Sequence, residues 1–157
     1  MKIDSLWSNC LQIASEIAVA KIVSFFQNVE EDSITNEELF LGALEDADLA
    51  IASESVRMGM KMGCAIAIVL IDKEHLYCVS LGNIRVQVGG ETITEDDVYV
   101  DSVGGTYLTN CLRGRGIKAS LPIKEHVLTA GWTVRICSDG FYNDDSSDDA
   151  SVIDIME

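Results

Sequence analysis

The sequence predicts an α+β fold, and three observations carry the prediction. Apolar residues recur at steps of three and four through the first 60 residues, the period of an amphipathic helix. From Cys64 onward they occur in short unbroken runs or at steps of two, the signature of strands. The helical and strand segments do not alternate, so antiparallel sheets are expected rather than a parallel βαβ layout.

Residues 5–28 put Leu6, Cys10, Ile13, Ala14, Ile17 and the run 19–23 on a helical repeat, which Phe25 and Phe26 close. Thr35-Asn36-Glu37-Glu38 has the S/T-x-x-E form of a capping box, so a second helix should begin after Thr35. Its inward stripe is Phe40, Leu44, Ala47 and Ile51. The acidic connection 29–34 makes the two helices an antiparallel pair. Residues 65–71 are continuously apolar, as in a strand buried on both faces. A turn at 72–75 leads to a return strand at 76–81, and Gly82-Asn83 forms another tight connection. Ile84, Val86 and Val88 alternate with Arg85 and Gln87 in a half-exposed strand that Gly89-Gly90 ends. Residues 98–100 are a short extended piece, 106–113 a brief helix, and 121–128, 133–138 and 151–156 the remaining strands. The expected organisation is a single domain over 1–157, with a helical pair at 1–60 and a strand-rich part at 62–157.

Charge narrows the function classes. Eleven Lys plus Arg face 26 Asp plus Glu, for a formal charge of −15. Nucleic-acid binding draws its affinity from bases that displace phosphate counterions, so nucleic acid is excluded as a partner. An anionic membrane surface is disfavoured on the same ground. The longest apolar run, residues 64–71, falls far short of the roughly 20 residues of a span, and no leader-like apolar core follows Met1. Cys10, Cys64, Cys78, Cys111 and Cys137 are odd in number and form no C-x-x-C pair, which points to free thiols in a cytoplasmic protein. His75 and His126 have no nucleophile motif beside them, and Arg113-Gly114-Arg115-Gly116 has the form of a solvated turn.

Chemistry concentrates near the C-terminus. The strand Arg135-Ile136-Cys137-Ser138 ends in Asp139-Gly140, and Asp148-Asp149 precede the final strand. If those strands are neighbours, Asp139 and one of Asp148 or Asp149 converge at one sheet end. Converging carboxylates with waters bind hard cations such as Mg²⁺ or Mn²⁺. A turn with a solvated acidic loop is the competing reading.

Arg135-Ile136-Cys137-Ser138-Asp139-Gly140-Phe141 resembles the "lLLCSDGl" strand of the metal-dependent protein phosphatases (PPM, type 2C). Asp148-Asp149-Ala150-Ser151-Val152-Ile153 resembles that family's "DNaTvv" strand, and Val79-Ser80-Leu81-Gly82-Asn83-Ile84-Arg85 its "vanvGDSR". Met62-Gly63-Cys64-Ala65 is similar to its "GsT", and Ala14-Ser15-Glu16-Ile17-Ala18-Val19 to its "ASeiAv" helix. The resemblance implies a phosphatase 2C-like sandwich of antiparallel sheets flanked by two long antiparallel helices. It implies hydrolysis of phosphoserine or phosphothreonine esters by water bound to Mg²⁺ or Mn²⁺, and a phosphoprotein or signalling partner. Carried over by motif, Asp139, Asp148 and Asp149 are the metal-site residues. No catalytic side chain and no organic cofactor site is assigned.

Departures from the family pattern limit the expected activity. The "R…NED" and "DGmGG" strands are missing from the 157 residues and would lie before Met1. Asn83 stands where "GDSR" has its Asp, and Cys64 replaces the hydroxyl residue of "GsT". Weak or absent phosphatase activity is therefore expected. The alternatives are a non-catalytic binding or regulatory module, or a fragment completed by another chain. Exposed sheet edges would then invite a partner strand or a homodimer.

Overall fold

Four-residue steps on two long helices build the first of two units in the computed structural model, which describes residues 3–30, 34–118, 120–143 and 150–157. That unit comprises Met1–Ile66 with Cys111–Leu121. Helix α1 (Ile3–Asn28) buries Cys10, Ala14, Ala18 and Ile22 on one stripe. Helix α2 (Asn36–Met58) buries Leu39, Phe40, Ala43, Leu44, Ala47 and Ile51. The two pack together, and the alanines on both stripes allow close approach. Phe25, late in α1, lies on Gly42, early in α2, as an antiparallel pair requires. A Cβ on Gly42 would stand 2.7 Å from the Phe25 ring, so the glycine makes room for it.

The capping box forms as expected. Thr35 Oγ1 accepts the Glu38 N–H at 3.2 Å, and Glu38 Oε2 accepts the Thr35 N–H at 2.9 Å. The Thr35 backbone and hydroxyl hold the Glu38 carboxyl below its usual pKa. Gly59 closes α2 in the left-handed region, with φ 64°. The stretch Cys10–Asn28 reaches a mean hydropathy of 1.3, so by length and composition α1 is apolar enough to cross a membrane. Counting only unbroken apolar runs overlooks this, because Ser15, Glu16 and Lys21 interrupt the run without lowering the average enough.

The second unit, Ala67–Asn110 with Pro122–Glu157, holds the strands. One sheet runs in the order β1 (Ile66–Asp72), β2 (His75–Leu81), β7 (Lys124–Val127). The other runs β4 (Glu91–Thr92), β3 (Arg85–Val88), β8 (Thr133–Cys137), β9 (Val152–Met156), and β5 (Val98–Val100) pairs with β6 (Thr106–Leu108). Leu76 and Cys78 from the first sheet share a core with Val86, Val88 and Val134 from the second, and Leu128 joins them. The phosphatase 2C-like α+β expectation is met.

Three expectations change. Residues 66–72 are an edge strand with only Ile68 buried, so the continuous apolarity of 65–71 does not reflect burial on both faces. Gly82-Asn83 carries the chain from one sheet to the other instead of closing a hairpin. The brief helix expected at 106–113 is replaced by β6, where Tyr107 faces Tyr99 across the ladder. Asp101 settles that geometry: its Oδ1 accepts the N–H groups of Val103 at 3.0 Å and Gly105 at 2.7 Å, folding a turn that returns the chain onto β5.

Candidate functional site

The segment carrying Asp139 is built by the end of β8. Ser138 is extended, with φ −82° and ψ 166°, and caps the one-turn helix α3 (Asp139–Tyr142). Its carbonyl accepts the N–H groups of Phe141 at 3.1 Å and Tyr142 at 3.3 Å. The start of β9 is tied to the same residue. Ser138 N–H donates to the Ser151 carbonyl at 3.0 Å, and Ser151 N–H donates to Ser138 Oγ at 2.9 Å. Strands β8 and β9 are antiparallel neighbours with Cys137 opposite Val152, so the neighbour condition set by the sequence holds. Asp148 and Asp149 lie outside the described residues.

Asp139 is held by amide donors. Its Oδ2 accepts the Asn83 side-chain N–H at 2.7 Å, and its Oδ1 accepts the Gly140 N–H at 3.1 Å. Asn83 is fixed from its other side, where its backbone carbonyl accepts the Tyr142 hydroxyl at 2.9 Å. The Arg85 guanidinium stands 3.6 Å from the centre of the Tyr142 ring and grips Asp96 through Nε at 3.1 Å and Nη2 at 2.7 Å. Burial, and after it the Asp96 charge, pushes the Tyr142 phenol up to about 12. The hydrogen bond to Asp96 raises the Arg85 pKa, so the guanidinium stays charged. Asp96, Arg85, Tyr142, Asn83 and Asp139 thus form one chain of polar contacts from the β3 surface to the β8 end.

These described residues do not fit a hard divalent cation. Such an ion takes six or more oxygen ligands, carboxylates among them. Here one carboxylate faces the N–H of an amide, and among the described residues no three His, Cys, Asp or Glu gather around a common point. Sequence reasoning identified Asp139 and noted Asn83 but missed Tyr142, Arg85 and Asp96. Eleven residues separate Arg85 from Asp96, and no spacing rule points from one to the other.

The first unit contains a second polar constellation that the sequence did not disclose. Asp48, 3% exposed in the middle of the apolar stripe of α2, accepts three backbone N–H groups. Arg113 and Gly114 donate to Oδ1 at 2.9 and 2.7 Å, and Gly116 donates to Oδ2 at 2.7 Å. The Arg113–Gly116 turn is therefore clamped by a buried acid, while Arg113 and Arg115 are exposed as expected. None of the five cysteines is in a disulfide, and burial pushes the Cys64 and Cys78 thiols up to about 11.

Neither a profile of a known protein family nor a curated protein sequence matches the chain. Solved structures do. The Mycobacterium tuberculosis serine/threonine phosphatase PstP/Ppp superposes with a TM-score of 0.70 at 20% identity, covering 86% of this chain and 65% of that one. The PstP catalytic domain in complex with two manganese ions gives 0.68 at 19% identity, covering 86% and 64%. The S. agalactiae serine/threonine phosphatase gives 0.67 at 21% identity, covering 83% and 62%. The fold is that of the type 2C metal-dependent phosphatases. The chain spans less than two thirds of the length of the structures it matches.

Proposed function

We propose that this chain is a phosphatase 2C-like domain with weak or absent phosphoserine/phosphothreonine phosphatase activity, acting as a binding or regulatory module toward a phosphoprotein or signalling protein. The fold supports the phosphatase-like part. One observation supports the loss of activity: Asp139, at the motif position for a metal ligand, is engaged by the Asn83 amide, and among the described residues no three His, Cys, Asp or Glu gather to hold a metal ion. Metal affinity rises with the number and charge of ligands, so a carboxylate already engaged by a neutral amide is a weak start for a Mg²⁺ or Mn²⁺ site. Five cysteines outside any disulfide suit a reducing compartment, and the proposal places the protein in the cytoplasm. The charge of −15 argues against nucleic acid as a partner.

Hydrolysis of an aryl phosphate and of a phosphothreonine peptide in millimolar Mn²⁺ or Mg²⁺, with Asp139→Asn run beside the parent, tests this reading. The expected result is equal background rates for both proteins. Robust metal-dependent turnover that disappears in Asp139→Asn would overturn it.

A further inference from the structure

The turn that Asp48 clamps carries the densest positive charge of an acidic chain. Arg113, Arg115 and Lys118 place three of the 11 bases within six residues, all exposed, and residues 102–124 contain no acid. A fourth base lies near them. Cys64 and Leu112 exchange N–H···O bonds at 2.8 and 3.0 Å, so the chain before Cys64 runs beside the chain after Leu112. A Cβ on Gly63 would stand 3.0 Å from Arg113 Cβ. The exposed Lys61 is two residues before that glycine, a reach of at most about 7 Å. Among the described residues the ion pairs engage Arg57, His75, Arg85, Lys124 and Arg135, and none of these four bases.

The backbone of the turn is fixed in advance. Asp48 takes the N–H groups of Arg113, Gly114 and Gly116, which leaves both guanidiniums to solvent and lowers the ordering cost of a ligand that meets them. A groove of about 370 Å³ opens beside the turn, between Gly114, Gly116 and Ile117 on one side and Leu49 and Ala52 of α2 on the other. Leu49 is 67% exposed, an apolar contact with room for another. Charge then selects the occupant. A segment acidic along its length would be repelled by the −15 of the chain and by Glu45, which also lines the groove. A phosphate ester puts nearly two charges and three acceptor oxygens at one point, where guanidinium forks bind it in bidentate fashion. Acids farther off than about 8 Å are screened at physiological salt.

We propose that the turn at 113–118 is a docking site for a segment of a partner protein phosphorylated on serine or threonine. Arg113 and Arg115 hold the phosphate, Lys61 and Lys118 add to the field around it, and an apolar residue of the same segment enters the groove against Leu49, Ala52 and Ile117. The proposal rests on the reading of the chain as a module directed toward a phosphoprotein, and it places that contact at a site that does not use Asp139.

The probe is a fluorescein-labelled nonapeptide with one phosphothreonine, a leucine two residues after it, and glycine and serine elsewhere, read by anisotropy at physiological salt in EDTA. It should bind at least tenfold more tightly than the same peptide carrying threonine or glutamate in that place. Arg113→Gln combined with Arg115→Gln should weaken binding at least tenfold. Lys21→Gln combined with Lys73→Gln removes the same charge from two other exposed bases and should change binding less than twofold. The Asp48 clamp uses backbone N–H groups, so the arginine variant keeps it. If that variant fails to fold, the amide shifts of the parent decide, and they should change at 113–118 and at Leu49 and Ala52. Equal binding of the three peptides, equal loss in the two double variants, or shifts elsewhere would overturn the proposal. Phosphopeptide binding that survives the arginine variant overturns this site and leaves a phosphoprotein partner standing. Turnover in Mn²⁺ would instead overturn the activity reading and leave the site standing, because binding is measured without metal.

Discussion

Asp48 shows how much one side chain can organise. Its carboxylate satisfies three backbone donors of the Arg113–Gly116 turn from a position with almost no solvent access. Hydrogen bonds to a charged group are worth about 1.5–3 kcal/mol each, and a buried donor left unpaired costs about 1–3 kcal/mol. Asp48→Asn keeps one acceptor oxygen but turns an NH₂ group toward a third N–H. We expect it to lower stability by about 1–3 kcal/mol, and Asp48→Ala by more, in urea unfolding. Gly114 has φ 69°, and an added Cβ would stand 2.6 Å from Ala52 Cα. Gly114→Ala should therefore cost at least the roughly 1–2 kcal/mol of a left-handed non-glycine residue. The thiols offer a separate check. With pKa values raised to about 11 by burial, Cys64 and Cys78 should stay unmodified by a maleimide at pH 8 until the protein unfolds, as peptide mass spectrometry would show.

At the scale of elements, what was legible in the sequence had a local cause. The capping box, the α2 stripe and the alternating β3 are set by residues within one turn or one strand of each other. What was missed depends on distant partners. Whether the apolar run at 65–71 is central or peripheral is decided by which strand lies beside it, and nothing in Ile66–Asp72 says so. At 106–108, propensity was ambiguous, and the Asp101 turn with the Tyr99–Tyr107 pairing decided for a strand. The site followed the same division: Asp139 came from its local turn, whereas its contact with Asn83 spans 56 residues. Strand β9 yields a pH prediction of its own. Arg135 bonds to Asp154 and lowers its pKa, so the contribution of this pair to stability is fully present above the unfolded value of about 3.9. It is lost as pH falls through the depressed folded value. Asp154→Asn should therefore lower the urea midpoint at pH 6, and the difference from the parent should shrink to nothing as pH falls below the folded pKa.

Over the whole molecule, 26 acids against 11 bases set the sign of the electrostatics. Among the pairs that form, Arg57–Glu54, Lys124–Glu95 and Arg135–Asp154 engage bases at the surface, where an ion pair contributes little. Most acids have no base to meet, so repulsion among them outweighs attraction, and folding concentrates that repulsion. Screening should then stabilise the protein. Raising NaCl from about 10 mM to about 300 mM shortens the Debye length from about 30 Å to under 10 Å, and the urea midpoint should rise. If ion pairs dominated instead, the midpoint would fall. The same titration separates general screening from a specific cation site. A site that binds only the folded state adds stability that grows with the logarithm of ligand concentration, beyond what ionic strength explains. Because Asp139 faces an amide, Mn²⁺ at matched ionic strength should raise the midpoint no further than NaCl does. Asn83→Asp would put a second carboxylate against Asp139, and repulsion between the two should lower the midpoint in NaCl. Mn²⁺ should restore stability to that variant while leaving the parent where salt alone leaves it, because among the described residues only the variant puts two acids together at the end of β8.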